Sequence, residues 1–313
     1  MTVWRMWIVG QIDASIVAAL ILVAVHFGRH LLPPAIRSAL LAIALVRLAL
    51  PPLIRSPWSE ALVDAAPIDD ARSTMALWLH DDAWQTIAAL TTMVSILLLI
   101  RLGRSIAVSR SLAVAGTRPG PDGLQTKVEV RIAPDDRGPL AAGFRDRVIV
   151  LPASILETAS RQQLAAVLAH ETGHHERRDL VWMALARAAA AIVWFNPLTH
   201  LISRALLAAR EDGCDDWAMA RTGRDPFAYA QALLQSARLM AARDNGMLIA
   251  RAHPMGVRVR RLLAASAVRD ERRTAPLFVV ILIAAAAFIP AAHTPNVSDD
   301  LNPPTRVVIV VRR

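Results

Sequence analysis

The chain has 313 residues, 55% apolar and only 5% aromatic, with a mean hydropathy of +0.39 and a formal net charge of +9. Soluble domains usually sit nearer roughly 45–50% apolar, so a wholly water-soluble globule is disfavoured. The charge comes almost entirely from Arg, with Lys127 the single lysine, and the Arg residues scatter beside apolar runs; this favours anchoring at an anionic membrane face over nucleic-acid binding.

Four Ala/Leu/Ile/Val-rich runs, at 8–28, 37–54, 84–103 and 275–292, have about the length that carries a helix across a hydrocarbon core roughly 30 Å thick. Trp4 and Trp7 flank the first and Trp78 and Trp84 precede the third, as interfacial aromatic belts do. The first run reads as a retained span, because its apolar core is long and no distinct small-residue cleavage signal follows. Arg29 and Arg37 separate the first two runs without an acid. Glu60, Asp64, Asp69, Asp70, Asp81 and Asp82 lie between the second and third, and Arg101, Arg104, Arg110 and Arg118 follow the third. The positive-inside rule then puts the N-terminus outside, residues 104–274 in the cytoplasm and the C-terminus outside. Asp13 and Arg47 fall inside spans, where they either pair across antiparallel helices or snorkel to an interface.

Beyond the third span, Gly116 to Gly123 reads as a linker. Residues 127–132, Lys-Val-Glu-Val-Arg-Ile, alternate like a half-buried strand, and Val148 to Leu151 form a second apolar run; a small hairpin-like sheet is expected. The edge of such a sheet can hold an extended peptide by strand addition. Ser160 as N-cap and Gln163 as its reciprocal partner open a helix over 161–175. Asp179 caps the next helix, 180–195. Asn196-Pro197 breaks that helix, and another runs from about 198 to 221. The segment 180–195 is apolar enough to suggest a fifth span. A helical hairpin turning at Asn196-Pro197 is expected instead, because the acids near 211 must return to the histidines of the preceding helix.

Those histidines belong to His170-Glu171-Thr172-Gly173-His174, an H-E-x-x-H motif. A random chain of this composition carries the pattern roughly 0.6% of the time. On a helix, i and i+4 share a face, so both imidazoles can reach one ion. The spacing suits Zn²⁺ with Glu171 polarising a water. Two His leave zinc one protein ligand short. Arg210-Glu211-Asp212-Gly213-Cys214-Asp215-Asp216 offers candidates, and Glu211 is preferred over Asp212 or Asp215. Asp215, one turn on from Glu211, is placed to accept the free ring N–H of a zinc-bound His. Cys214, the single cysteine, excludes an intramolecular disulfide and reads as a small buried side chain rather than a thiolate ligand. His175 points about 100° away from His174, and His200 and His253 are isolated. Arg177, Arg178 and Asp179 read as inter-helix ion pairs or as orienting groups. The chemistry predicted is zinc-dependent peptide hydrolysis, with Glu171 taking the proton of the attacking water and returning it to the leaving amine.

Taken together, H-E-x-x-H with Arg178-Asp179, Trp194-Phe195-Asn196-Pro197, and Arg210-Glu211 with Cys214-Asp215 resemble the membrane metallopeptidases of the beta-lactam sensor-transducer (BlaR/MecR-like antirepressor) family. The resemblance implies zinc ligands His170, His174 and Glu211, catalytic Glu171, and a protein substrate that is a transcriptional repressor. The expected fold is mainly α and integral to the inner membrane. Three transmembrane helices lie in 1–103, and a helical gluzincin-like zinc protease domain with a small β-sheet occupies the cytoplasmic stretch 104–274. A fourth transmembrane helix at 275–292 and an extracytoplasmic tail at 293–313 complete it. The antibiotic-sensing relatives carry a large penicillin-binding domain after the fourth span where this chain has only residues 293–313, so beta-lactam sensing is not expected. Two rival readings use the same residues: a prenyl-protein or heat-shock-type quality-control protease, and a non-catalytic membrane signal transducer with structural zinc.

Overall fold

In the computed structural model, residues 3–50, 81–120, 126–134, 138–222, 226–241 and 255–265 are described. The acidic loop 51–80, His253, the fourth predicted span 275–292, the tail 293–313 and the side chain of Asp13 lie outside the described residues. Helices dominate: α1 (Val3–Phe27), α2 (Pro34–Ala49) and α3 (Asp81–Val114) come first. A sheet of β1 (Arg118–Pro119), β2 (Glu129–Ala133), β3 (Leu140–Ala142) and β4 (Val148–Pro152) follows. Then come α4 (Ala153–Thr158), α5 (Arg161–Glu176), α6 (Asp179–Ile192), α7 (Pro197–Thr222), α8 (Pro226–Ala241) and α9 (Met255–Ala265).

Among the described residues, one stretch is long and apolar enough to cross a membrane: Gln85–Ser111 of α3. In α1 the apolar helix is shorter, Ala14–Phe27, and α2 has 16 residues, so neither reaches that standard. The expectation of four spans is met at one helix. The third predicted span, 84–103, does not stop at Arg104; the helix continues unbroken to Val114 and so projects beyond a bilayer toward the sheet. There Arg110 Nε donates to Asp146 O at 3.1 Å, tying the helix to the β3–β4 turn.

The sheet corrects the hairpin-like expectation. Its order is β1-β2-β4-β3, and the two predicted strands, β2 and β4, pair in parallel. The hairpin joins β4 to β3, a short strand with no alternating signal. The reason is visible in β4: Val148, Ile149, Val150 and Leu151 are all buried. An uninterrupted apolar run is what a central strand covered on both faces needs, and parallel pairing fits such a strand. Gly143 turns the chain between β3 and β4 with φ +83°, and a Cβ there would lie 2.1 Å from Asp146 O.

The helical core joins four elements. Ala18, Ile21, Leu41, Ala44, Leu45 and Leu48 of α1 and α2 are buried against Val193 and against Ile202 and Leu206 of α7, with Ala189 of α6 in the same cluster. The α6–α7 hairpin is thus held against the helices of the first two predicted spans. A second core packs Ala166 of α5 and Ala218 of α7 against Tyr229, Ala230 and Leu233 of α8 and Leu262 of α9. The sheet supports α5 from the other side through Ile149, Leu151, Val167 and Leu168.

Replacing Gly143 by Ala forces a Cβ into a carbonyl at a left-handed position. The cost expected is about 1–3 kcal/mol, read as a lowered midpoint for thermal unfolding of the detergent-solubilised chain; an unchanged midpoint would show that the turn is not strained.

Candidate metal centre

The site is built at the end of α5. Its start is fixed by a capping box: Gln163 N donates to Ser160 Oγ at 3.2 Å and Ser160 N to Gln163 Oε1 at 2.8 Å. From that start, His170, Glu171 and His174 follow in helical register, with His170 and Glu171 buried and His174 partly so. The two imidazole rings stand edge to face at 4.9 Å between centroids. Gly173, between them in sequence, lets α7 come close; a Cβ there would lie 3.3 Å from the Trp217 ring and 3.6 Å from Cys214 Sγ.

That close approach brings Glu211 to the histidines. Its Oε2 lies 3.5 Å from His170 Nε2 and its Oε1 3.6 Å from His174 Nε2. The three side chains offer donor atoms that all lie within 4.8 Å of one another. Asp212, 100° further round the helix, turns to α2, where Arg37 Nη2 meets its Oδ2 at 2.8 Å. Asp215 returns to the Glu211 face, and its Oδ1 is 3.1 Å from His170 Nδ1.

His174 has its own carboxylate. Asp179 Oδ2 lies 3.2 Å from His174 Nδ1. The expectation that Asp179 caps α6 through its side chain is not met: Arg178 holds the N-cap position, and Asp179 is fully buried in the first turn. The cause is the turn between α5 and α6, made by Arg178 in the left-handed region at φ 54°. That reversal swings Asp179 back under His174, where Arg210 pairs with its other oxygen. Cys214 Sγ donates to Asp179 Oδ2 at 3.0 Å and sits 3.3 Å from His174 Nδ1. Burial, with the charge of Asp179, pushes the Cys214 thiol up, so it stands in this layer as a neutral donor. His175 points away, to Val148 O at 3.1 Å on β4; burial lowers its pKa. His200 is exposed, its Nε2 at 3.0 Å from Trp194 O.

Two further residues complete the centre. Tyr229 of α8 donates its hydroxyl to Asp215 Oδ1 at 3.1 Å and lies 3.2 Å from His170 Nδ1. Arg258 of α9 grips Asp215 with both edges, Nε to Oδ2 at 2.9 Å and Nη2 to Oδ1 at 2.6 Å. Its Nη1 reaches Glu211 Oε2 at 3.1 Å. Nothing local in the sequence marks Arg258, which stands 43 residues from Asp215. Asp179 was nearer to hand, since it directly follows Arg178 just beyond the motif.

The electrostatics follow from this packing. Burial opposes a charged His170, yet hydrogen bonding to Asp215 and Glu211 outweighs it and raises the pKa to about 10. Burial likewise opposes ionised Glu211, and the His170 contact with the Arg258 charge overrides it, giving about 2. Against the same burial, Arg258 and His170 hold Asp215 well below the usual carboxylate range.

Two imidazoles and a carboxylate converge here, each imidazole braced from behind by a buried acid, a donor set of the kind that can hold a metal ion. The family described as BlaR1 peptidase M56 matches residues 2–261, and the chain belongs to that family of metallopeptidases. A relative, "Regulatory protein BlaR1" of Staphylococcus aureus, is 22% identical over 110 residues, 35% of this chain. The matched stretch spans 19% of that relative's length.

Arg258→Met leaves two buried carboxylates without their cation. Breaking such a pair costs about 3–5 kcal/mol, read as loss of resistance to chemical unfolding. Arg258→Lys should restore only part, because a point charge cannot replace the two-edged grip. A Met variant as stable as the parent would show the contact to be incidental.

Proposed function

We propose that the chain is a membrane-bound zinc endopeptidase of the gluzincin type, with His170, His174 and Glu211 as ligands, Glu171 as catalytic base and Asp215 holding His170 from behind. The observation that carries this is the pair of Nε2-to-carboxylate separations, 3.5 and 3.6 Å. Ligand atoms around a tetrahedral zinc with bonds of about 2.1 Å stand about 3.4 Å apart. The donor set therefore fits one zinc with little rearrangement. Asp215 and Asp179 support the assignment, because a carboxylate at Nδ1 fixes the tautomer that offers Nε2 to an ion.

Held by His170, His174 and Glu211, zinc would supply a water of lowered pKa and a positive charge to stabilise developing oxyanion charge. Glu171, next to His170 on α5, would serve as the base that accepts the proton of the attacking water and returns it to the departing amine. Arg258 keeps Glu211 and Asp215 ionised and oriented. The edge strand β3 packs beside α5, and an extended substrate adds to it through backbone hydrogen bonds. The regulatory role named for the S. aureus relative suggests substrates in signalling, with a transcriptional repressor the foremost.

The deciding experiment compares new protein N-termini in membrane and cytosolic fractions of cells carrying the parent chain or Glu171→Gln. The variant should keep about one equivalent of zinc and lose the cleavage products. Identical products from both would remove Glu171 from its role and support the non-catalytic transducer reading. A broad set of misfolded membrane substrates would favour quality control over regulation.

Zinc uptake also has a proton signature. Metal-free His170, with its pKa raised to about 10, is protonated at neutral pH, whereas a ligand His must be neutral. Glu211, near 2, is already ionised and releases nothing. Zinc binding should thus release close to one proton and tighten as pH rises toward that value. Calorimetry in buffers of different ionisation heat measures it, and a buffer-independent heat would contradict it.

A further inference from the structure

We infer that the α6–α7 hairpin is a re-entrant membrane element: it enters the bilayer from the metal-site side, turns near the midplane and exposes its outer face to lipid acyl chains. The inference rests on reading Gln85–Ser111 as a span and is independent of the catalytic proposal.

Depth comes from one hydrogen bond. Ser95 Oγ donates to Ile192 O at 3.1 Å. Ser95 lies ten residues beyond Gln85, about 15 Å along α3 at the usual helical rise. Half of a hydrocarbon core is also about 15 Å, and Arg101 and Arg104 follow where the far edge falls. The last residue of α6 is therefore level with the middle of the span. From Ile192 back to Asp179 the helix has 14 residues, about 21 Å. Its foot, with Asp179 under His174, then stands about 6 Å outside the hydrocarbon, at headgroup depth.

The turn is built for a medium without water. Irregular backbone survives at that depth only when protein groups satisfy it. Ile192 O takes the Ser95 hydroxyl. Val193 N donates to Ala189 O at 3.0 Å, Asn196 N to Val193 O at 3.0 Å and Thr199 N to Asn196 O at 3.2 Å. His200 meets Trp194 O. Asn196 Oδ1 accepts from Leu198 N at 3.0 Å. Its Nδ2 donates to Ser15 Oγ at 2.8 Å and to Gln11 Oε1 at 3.4 Å on α1. Gln11 in turn donates to Leu48 O of α2 at 3.0 Å. The backbone and Asn196 groups named here thus find protein partners, as that depth requires.

The outer face is apolar and open. Val181, Trp182, Leu185, Trp194, Phe195 and Leu201 are all exposed, next to the exposed apolar side chains of α3. Two charges on the hairpin, Arg187 and Arg204, are also exposed. Arg187 lies five residues before Ile192 and Arg204 seven after Pro197, so with the turn near the midplane their Cα atoms sit about 7 and about 5 Å inside the hydrocarbon edge. A guanidinium on its aliphatic stem spans that distance to the headgroups.

The test places nitroxide labels on single introduced cysteines in the full chain, reconstituted in phosphatidylcholine/phosphatidylglycerol vesicles. Leu185→Cys and Trp194→Cys report on the hairpin. Leu97→Cys, exposed on α3, is the span reference, and Glu157→Cys, exposed on α4, the water reference; the parent chain checks that buried Cys214 takes no label. Collision rates with dissolved oxygen and with a water-soluble nickel chelate are read by electron paramagnetic resonance. Both hairpin sites should match Leu97, with an oxygen-to-nickel ratio severalfold above that of Glu157, and highest at Trp194. High nickel collision at either site would put the hairpin in water, and low collision with both reagents would put it under protein; each overturns the inference. If Leu97 itself reports water, the span fails and the inference with it, while the assay of Glu171→Gln is untouched.

Discussion

The centre depends on buried acids placed behind imidazoles. His170 and His174 can offer their Nε2 atoms to one point because Asp215 and Asp179 hold the opposite ring nitrogens at 3.1 and 3.2 Å. Both carboxylates are fully buried, and an isolated buried ion costs several kcal/mol. Much of the surrounding architecture answers that cost. Arg210, one residue before Glu211, neutralises Asp179. Arg258, from a helix far along the chain, neutralises Asp215. The arrangement is reciprocal: the acids orient the rings, and the arginines keep the acids ionised.

This requirement explains which features could be read from the residues and which could not. The α5 helix was legible because its determinants are local: a capping pair three residues apart, then a helical repeat carrying His170 and His174 to one face. That Asp215 shares a face with Glu211 was legible for the same reason, since i and i+4 point the same way, and the structure turns Asp212 toward Arg37 instead. Asp179 was half legible. Its nearness to the motif was plain, but its function depends on the left-handed Arg178, and no local rule demands that conformation of an arginine. Arg258 and Tyr229 were not legible at all, because they arrive through α8 and α9. The sheet failed on a related point: the continuous apolar run of β4 marks a strand buried on both faces, but not the direction of its neighbour.

Helix packing sets how the three proposed ligands meet. Two of them ride on α5, which the sheet and α8 support, and the third rides on α7, which belongs to the hairpin packed on α1 and α2. Gly173 and Gly213 lie at the crossing; at Gly213 a Cβ would collide with the Arg177 guanidinium, 2.3 Å from Nη2. Arg177 in turn lies 3.5 Å from Asp179 Oδ2. Small residues therefore do two things here: they admit the neighbouring helix, and they leave room for the cation that helps to neutralise the acid beneath His174.

The same geometry links the centre to the bundle. Asp212, the residue after Glu211, is held between Arg37 of α2 and Arg261 of α9, whose Nε lies 3.0 Å from its Oδ1. Glu211 cannot shift along α7 without dragging that contact, and α2 cannot tilt without pulling on Asp212. A displacement of roughly an ångström at Arg37 is several times the tolerance of a metal–ligand bond, about 0.2 Å. The Arg37–Asp212 pair is thus a buried ionic contact between the bundle and the residue next to the proposed third ligand, Glu211.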